Sequence, residues 1–344
     1  MRTTEELRAS TELRDLRSLS IDDVEGLIAL TEACREVDKI ETIPSSEQMR
    51  RQFETPGIEI TNNAFVMQNA AGDIVATVAA VPLPGANEYN IQLQVTARPE
   101  YRSEERCLED RLIEFGLANA AEWMAASGNK ATIQAGCWSY QQNQIDLYTR
   151  NGFAPIRYFH TLERDLELPI VPSPVPDGIR IRGVELPAEA ANLHLALHES
   201  FQDHFNPMNF TLEQTTHWFT SPDFKPGLIL LAFGLDPVTG DETEPAGVCM
   251  NHLRNNYNLQ HNTHEGEVGA LGVRRGYRRR GLARAMLTQS LDLLKNEGMT
   301  TAILSVDSEN PLGATQLYAS VGFAQRKTSI VYQFDPATST LRSR

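Results

Sequence analysis

Six arginines stand within eleven residues of an otherwise acidic chain, between two segments of different pattern. Before them, the segment 267–273 is a short apolar run with small residues, which predicts a buried strand. After them, apolar residues recur at helical spacing from Gly281 until a stop near Gly298. The sequence therefore places a cationic turn between a strand and the first turn of a helix. The six residues are Arg274, Arg275, Arg278, Arg279, Arg280 and Arg284.

This placement favours the binding of an anion. The first N–H groups of a helix have no intrahelical partner, and the helix dipole adds roughly half a positive charge there. Gly281 and Ala283 carry little or no side chain, so a pyrophosphate can approach the backbone. Charge alone would equally indicate a solvated basic turn or a nucleic-acid patch. The strand, the small residues and the helix together favour a phosphate site.

Two linked patterns resemble the signatures of the GNAT superfamily of N-acyltransferases. Arg278-x-x-Gly281-x-Ala283 matches the family's [Gln/Arg]-x-x-Gly-x-[Gly/Ala] motif between a strand and a helix. The segment 304–323, which contains Asn310 and Tyr318, is similar to the second signature at the expected separation. The resemblance is close over residues 180–334. It implies an N-acetyltransferase that uses acetyl-CoA as the acyl donor, with no covalent enzyme intermediate and no metal.

The resemblance also implies roles for single residues. Backbone groups of Leu271 and Val273 would pair with the pantetheine arm of the coenzyme, and Asn310 would bond the coenzyme nearby. Backbone amides of the turn would hold the pyrophosphate. Tyr318 would protonate the departing thiolate. The cofactor-binding residues expected in the turn are Arg278, Arg279, Arg280, Gly281, Leu282, Ala283 and Arg284.

The proton acceptor is a separate question, because only a neutral amine can attack the thioester. Glu267 lies eleven residues before Arg278, where some GNAT enzymes carry a catalytic glutamate. The alternative for Glu267 is an exposed carboxylate at a strand end. Glu265 is the second candidate.

The chain is organised as two similar halves around a proline-rich segment. Four prolines between residues 167 and 178 favour an extended spacer. On each side the same order is predicted: a hairpin, a further strand, an arginine-containing turn, a long helix and Leu-Tyr-x-x-x-Gly-Phe. We therefore expect an α/β protein with two tandem GNAT folds, each a mostly antiparallel mixed sheet with a splayed central strand and flanking helices. The expected boundaries are 1–166, a linker at 167–178, a catalytic domain at 179–336 and a tail at 337–344.

The first half departs from the motif. Its turn, which begins at Arg102, has Glu105 where glycine is expected and Cys107 where a small residue is expected. A carboxylate would repel a pyrophosphate, so this half is predicted to be a degenerate copy. Tyr148 shares the motif of Tyr318, but Tyr140 stands where asparagine is expected. The tandem arrangement resembles the mycothiol synthase type of acetyltransferase, which joins an inactive copy to an active one.

Composition excludes several other classes. The chain has 344 residues and a formal net charge of -14, which disfavours general binding to nucleic acid or an anionic membrane. We find no signal peptide and no apolar run long enough to span a membrane. The scattered cysteines indicate reduced thiols and a cytoplasmic protein.

Other candidate sites and functions were weighed as well. The histidines lack metal-site spacing, so no metal is expected. The loop 203–206 is expected to be an ordinary polar loop, although it could contact substrate, and Trp218 is expected in the core. The favoured function is acetylation of a small-molecule amine by a monomer or homodimer. The alternatives are a non-catalytic CoA-binding regulatory module and a protein N-acyltransferase.

Overall fold

The computed structural model describes residues 2–8, 15–85, 87–102, 108–207, 209–219, 224–310 and 312–336. The chain divides into two compact units, Met1–Tyr158 with Ser329–Arg344, and Phe159–Thr328. Two long strands cross these boundaries. The strand 153–165 begins in the first unit, and its residues from 159 onward belong to the second unit. The last strand, 324–334, begins in the second unit, and its residues from 329 onward belong to the first unit.

The first unit contains one sheet with helices. Its helices are α1 (Thr4–Arg8), α2 (Val24–Asp38), α3 (Ser46–Phe53), α4 (Leu108–Ser127) and α5 (Gln142–Arg150). Its strands are β1 (Arg17–Ser18), β2 (Ala64–Gln68), β3 (Ile74–Pro84), β4 (Tyr89–Ala97) and β5 (Ala131–Trp138), followed in the chain by β6 (Phe153–Asp165). The sheet order is β1-β2-β3-β4-β5, completed by the C-terminal strand of the chain.

The second unit repeats this plan. Its helices are α6 (Ala190–Ser200), α7 (Leu212–Trp218), α8 (Asn255–His261), α9 (Leu282–Asn296) and α10 (Ala314–Ser320). Its strands are β7 (Ile179–Gly183), β8 (Ile229–Leu235), β9 (Glu242–Leu253), β10 (Glu265–Val273) and β11 (Thr301–Asp307), and β12 (Ala324–Phe334) closes the chain. The sheet order is β7-β8-β9-β10-β11, completed by residues 159–165 of β6.

Each sheet is antiparallel except at one short parallel pair. In the first unit β4 and β5 pair from Tyr89↔Ala131 to Gln92↔Gln134. In the second unit β10 and β11 pair only from Glu265↔Thr301 to Glu267↔Ile303. Both strands continue beyond the last pair, so they splay apart. The predicted mixed sheet with a splayed central strand and flanking helices is confirmed in both units.

The core of the second unit holds α9 against the sheet. Apolar side chains at helical spacing, including Leu282, Met286 and Leu294, are almost fully buried in one cluster with residues of β8, β9 and β11. The helix ends at Asn296, and Gly298 follows in the left-handed region with φ +84°. The helix predicted from the sequence is confirmed, together with its glycine stop.

The proline-rich segment 167–178 has no regular secondary structure and packs on the second unit. The backbone N–H of Ser173 donates to Thr288 Oγ1 at 3.3 Å, and Arg164 donates to the carbonyl of Pro169 at 2.8 Å. Ile170 packs against the same core cluster as α9. These contacts hold the segment along the surface of the unit that follows it. Within the described part of the chain, no helix combines the length and the apolar composition needed to cross a bilayer.

Candidate active site

The separation of β10 from β11 leaves one edge of β10 without a strand. Beyond Glu267 no strand among the described residues pairs with this edge, whereas the other edge stays paired with β9 as far as Val273↔Gly247. The register with β9 shifts between Val268 and Ala270, which marks a bulge at Gly269. A strand edge inside a gap needs hydrogen-bond partners from water or from a ligand. Leu271 and Val273, the predicted coenzyme-pairing residues, lie on this segment with half-buried side chains.

The turn after β10 leads directly into α9 through Gly281. Gly281 has φ +87°, in the region that favours glycine, and is the N-cap residue of the helix. Among the described residues no side chain caps the first turn of α9. A Cβ placed on Gly281 would meet no atom within 4 Å. The space beside Gly281 is therefore open.

Half of the arginines in the turn are already paired with carboxylates. Arg274 contacts Glu199 at 2.6 Å and Glu244 at 2.9 Å. Arg275 binds Asp203, which also accepts from Arg278 at 2.8 Å. These two arginines hold the pKa of Asp203 far below its usual range. Three of the six guanidinium groups thus fasten the turn to the end of α6.

The hydrogen bond and the ion pair of Arg278 have counterparts in the first unit. Arg278 Nε donates to the carbonyl of Val273, five residues earlier, at 2.9 Å. Arg102 Nε likewise donates to the carbonyl of Ala97 at 2.6 Å, and its NH1 and NH2 groups donate to Asp38 at 2.5 and 2.6 Å. In each half, then, the signature arginine clamps the end of a strand and pairs with an aspartate at the end of the first long helix. Residues 103–107, which include Glu105 and Cys107, lie outside the described residues.

The remaining arginines of the turn face solvent. Arg279, Arg280 and Arg284 are exposed. Arg280 lies over the ring of Tyr277, with its guanidinium carbon 5.6 Å from the centroid, and Arg284 donates to the carbonyl of Ser320 at 3.2 Å. Among the described residues none of these three guanidinium groups has a carboxylate partner. They supply the uncompensated positive charge beside the start of α9.

Tyr318 lies in α10 with its ring in the same core cluster as α9. The ring is 8 % exposed and packs edge-on against Phe323, with centroids 5.9 Å apart. Burial, helped by the nearby Cys249 thiol, raises the pKa of Tyr318 to about 12. The phenol is therefore protonated at neutral pH, and its raised pKa makes it a weaker acid than an exposed tyrosine.

Asn310 lies at the end of the gap, between β11 and α10. Its Oδ1 accepts from the backbone N–H of Leu312 at 2.9 Å, so the side chain closes the turn that leads to α10. This bond uses the acceptor of the amide and leaves its donor group for another contact. The residue is half-buried.

Glu267 pairs across the sheet with His252 of β9. His252 Nε2 lies 3.3 Å from Glu267 Oε2, and Arg254 Nε lies 3.8 Å from the same oxygen. Burial raises the pKa of Glu267, but the hydrogen bond from His252 and the charges of His252, Arg254 and Lys327 outweigh it, so the pKa is lowered overall. An ionised carboxylate that accepts a hydrogen bond from an imidazole orients that ring.

Glu265, the second candidate for the base, is differently placed. It is 5 % exposed and binds both Arg254 and Arg326, the latter at 2.6 Å. Asn258 donates to its backbone carbonyl at 2.9 Å. These contacts make Glu265 a structural carboxylate between two guanidinium groups.

A cavity of about 400 Å³ opens beside the bulge in β10. Gly269 and Ala270 line it on one side, and His252 lines it from β9. A Cβ on Gly269 would stand 2.4 Å from Cε1 and 2.9 Å from Nδ1 of His252, so only glycine leaves room for this ring. No hydrogen-bond partner of Nδ1 occurs among the described residues. The imidazole thus has one nitrogen at a carboxylate and the other available at the cavity side.

The opposite wall of the cavity comes from α6, α7 and the loop between them. Its lining includes His204, Phe205 and Asn206, from the loop that we expected to be an ordinary polar one. Trp218, expected in the core, is half-buried in this wall, and that expectation was wrong. His252 was missed from the sequence altogether. The only sign of its position in the sequence was the alternation of side-chain types along β9, which lies next to the bulged strand.

Comparison with known proteins agrees with this geometry. Residues 196–323 match the model of the acetyltransferase (GNAT) family. A mycothiol acetyltransferase of Segniliparus rotundus is 27 % identical over 258 residues, which cover 74 % of this chain and 88 % of that one. Residues 196–323 therefore resemble the acetyltransferase (GNAT) family, and about three quarters of the chain is similar to a mycothiol acetyltransferase.

Solved GNAT structures extend the likeness over both units. A GCN5-related N-acetyltransferase from Sphaerobacter thermophilus has a TM-score of 0.67 and 22 % identity, and the match covers 92 % of this chain and 94 % of that one. A tandem GNAT protein from the clavulanic acid biosynthesis pathway has a TM-score of 0.63 and 14 % identity, with 92 % and 97 % covered. The tandem GNAT fold expected from the duplicated motifs is therefore confirmed.

The lowered pKa of Glu267 provides a direct check on its pairing with His252. Replacement of His252 by alanine should raise the pKa of Glu267, because burial would then be opposed only by the charges of Arg254 and Lys327. A carboxyl-carbon NMR titration of wild type and variant measures this shift. Asp236, whose pKa is lowered by backbone N–H groups in the β8–β9 turn, is the internal control and should not move. An unchanged Glu267 would contradict the pairing.

Proposed function

We propose that this GNAT protein is an acetyl-CoA-dependent N-acetyltransferase that transfers the acyl group directly to the amine of a small molecule, with its active site in the second unit. The observation that carries the proposal is the gap between β10 and β11. At one end of β10 lies the open turn at Gly281, and beside its bulge lies the cavity next to His252. A linear thioester with a diphosphate at one end fits this arrangement, in which a turn, a bare strand edge and a cavity follow one another.

The turn is proposed to hold the pyrophosphate of the coenzyme. Backbone N–H groups from Arg279 to Arg284 stand at the start of a 15-residue helix and have no side-chain cap among the described residues, which favours negative charge there. The exposed guanidinium groups of Arg279, Arg280 and Arg284 add positive charge. The contribution of Arg278 would be to hold the turn in shape through Val273 and Asp203.

The unpaired edge of β10 is proposed to bind the pantetheine arm. Pantetheine contains amides, which are the hydrogen-bonding groups that a bare strand edge accepts. Leu271 and Val273 would supply these backbone bonds, and the free donor of Asn310 would bond the same arm from across the gap. A backbone N–H near the bulge would polarise the thioester carbonyl.

The transfer itself needs one proton acceptor and one proton donor. The neutral amine attacks the carbonyl carbon, a C–N bond forms, and the C–S bond breaks in the collapse of the tetrahedral intermediate. His252 Nδ1 is proposed to take the proton from the amine nitrogen, with Glu267 as the residue that positions the ring. Tyr318 is proposed to protonate the thiolate. Holding two reactants in place is worth about 7–11 kcal/mol.

The cavity supports a small-molecule acceptor over a protein acceptor. Its volume of about 400 Å³ lies within the range of small-molecule sites. The name of the relative from Segniliparus rotundus, a mycothiol acetyltransferase, supports an acetyl donor and a small acceptor. We also infer a cytoplasmic enzyme, because Cys34, Cys137 and Cys249 are unpaired and buried.

The first prediction of this proposal concerns Gly281. Gly281→Glu should weaken acetyl-CoA binding at least about 100-fold, because a carboxylate would occupy the open face and repel the pyrophosphate. Titration calorimetry with acetyl-CoA measures the dissociation constant. Gly298→Glu is the matched control, since Gly298 has the same left-handed backbone and open surroundings at the other end of α9. Equal affinity in both variants would eliminate the proposed pyrophosphate site.

Tyr318→Phe should lower kcat by about 10²–10⁴, because the thiolate would leave without a proton donor, with little change in coenzyme affinity. Release of free thiol measures the rate at saturating amine. Tyr148→Phe in the first unit is the control, because Tyr148 occupies the same motif and is equally buried. A wild-type kcat in Tyr318→Phe would assign the residue to packing alone.

Two variants separate the roles of His252 and Glu267. His252→Gln should lower kcat about 10²–10⁴-fold, because the amine would lose its proton acceptor. Glu267→Gln should lower kcat less, since the imidazole remains and loses only the carboxylate that orients it. Release of free thiol at saturating acetyl-CoA and amine measures both rates. A wild-type kcat in His252→Gln would show that another group accepts the proton.

A further inference from the structure

The cavity beside the bulge has a wall that identifies the chemistry of its occupant. Four aromatic side chains line it: Phe201, Phe205, Phe210 and Trp218. Phe210 and Trp218 pack edge to face with centroids 4.6 Å apart, and Phe205 packs at 6.2 Å from Phe159. Aromatic rings held by such contacts form a preorganised apolar surface.

The polar side chains that line the cavity are His194, His198, His204, Asn206, Thr215 and His252. His194 Nδ1 lies 2.9 Å from Thr215 Oγ1, and His198 Nε2 lies 2.9 Å from the amide nitrogen of Gln202. The rings of His194 and His198 stack with centroids 5.9 Å apart. These bonds engage one ring nitrogen in each of the two histidines, and the Phe and Trp rings of the same wall offer no hydrogen-bond acceptor.

No lining residue carries a fixed charge. Among the described residues that line the cavity there is no aspartate, glutamate, lysine or arginine. Burial lowers the pKa of His194, with a smaller contribution from His198, and burial also lowers the pKa of His204. The described lining therefore offers no fixed counter-ion to a phosphate, a carboxylate or a second ammonium group.

We infer that the acceptor is an arylalkylamine: a primary amine on a short aliphatic chain that ends in an aromatic ring. This inference rests on the proposed function and specifies its acceptor. The ring lies against Phe201, Phe210 and Trp218, and the amine reaches His252 at the bulge. A hydroxyl group buried against these three rings finds no acceptor there and loses about 1–3 kcal/mol, so polyhydroxylated amines are disfavoured. A polyamine is disfavoured because its further charges meet no carboxylate.

A panel of amines tests the inference on the full chain with acetyl-CoA. The probes are 2-phenylethylamine, 2-cyclohexylethylamine, glucosamine and spermidine. We expect kcat/KM for 2-phenylethylamine to exceed that for glucosamine and for spermidine by at least about 100-fold. The cyclohexyl analogue should be about 2- to 10-fold poorer than the phenyl compound, because it lacks the aromatic contacts. Glucosamine or spermidine turned over as well as 2-phenylethylamine would overturn the inference and leave the acetyltransferase function intact.

A variant of Trp218 tests whether the preference for an aromatic amine arises in this cavity. Trp218→Leu should raise KM for 2-phenylethylamine at least about 10-fold more than KM for methylamine, which is too small to reach the aromatic wall. Trp138→Leu is the control, because Trp138 is also half-buried but stacks on Tyr140 in the first unit. Thermal unfolding of both variants checks that they are folded. An equal effect on the two amines would overturn the assignment.

Binding measurements distinguish failure of this inference from failure of the proposed function. If no amine is acetylated although acetyl-CoA binds, the enzymatic proposal fails. Calorimetry with 2-phenylethylamine then still tests whether the cavity binds an arylalkylamine. Binding that is lost in Trp218→Leu supports an arylalkylamine site, and absence of binding to the wild type overturns it.

Discussion

The parallel pairing of β10 and β11 ends after three residue pairs, and every other feature of the site depends on this separation. A β-sheet normally satisfies both edges of an inner strand, so an inner strand with one bare edge must find partners elsewhere. The bulge at Gly269 lies on the same strand and turns its backbone toward the cavity. The turn at Gly281 follows the end of that strand. One departure from regular pairing thus aligns a bare edge, a cavity and a helix start.

The first unit shows that the separation alone does not define the site. There β4 and β5 also splay after a short parallel segment, and Arg102 ties its turn down just as Arg278 does. Both arginines bond the carbonyl five residues earlier and an aspartate near the first long helix. The signature arginine is therefore part of the fold that the two halves share. In the second half the turn continues with the open backbone at Gly281 and the exposed arginines around it. The sequence of the first half has Glu105 where this glycine is expected.

The sequence predicted the features that depend on neighbouring residues, but it did not predict the contacts between residues that are distant in the chain. The strand, the glycine turn and α9 were predictable because each depends on neighbouring residues. The pairing of His252 with Glu267 depends on the register of β9 and β10, and a slip of one residue would turn His252 to the other face. The ion pairs of Arg274, Arg275 and Arg278 depend on carboxylates about 30 to 75 residues away. Tertiary packing fixes both, and no local pattern reveals them.

These ion pairs also bear on how an acidic protein could attract an anionic coenzyme. A net charge of -14 opposes the approach of a diphosphate at long range. At physiological ionic strength the opposing field decays over about 8 Å, so the groups within that distance decide binding. Glu199, Glu244 and Asp203 neutralise the arginines that shape the turn. The helix N–H groups and the exposed guanidinium groups then dominate the local potential, which favours an anion there because the carboxylates are already engaged.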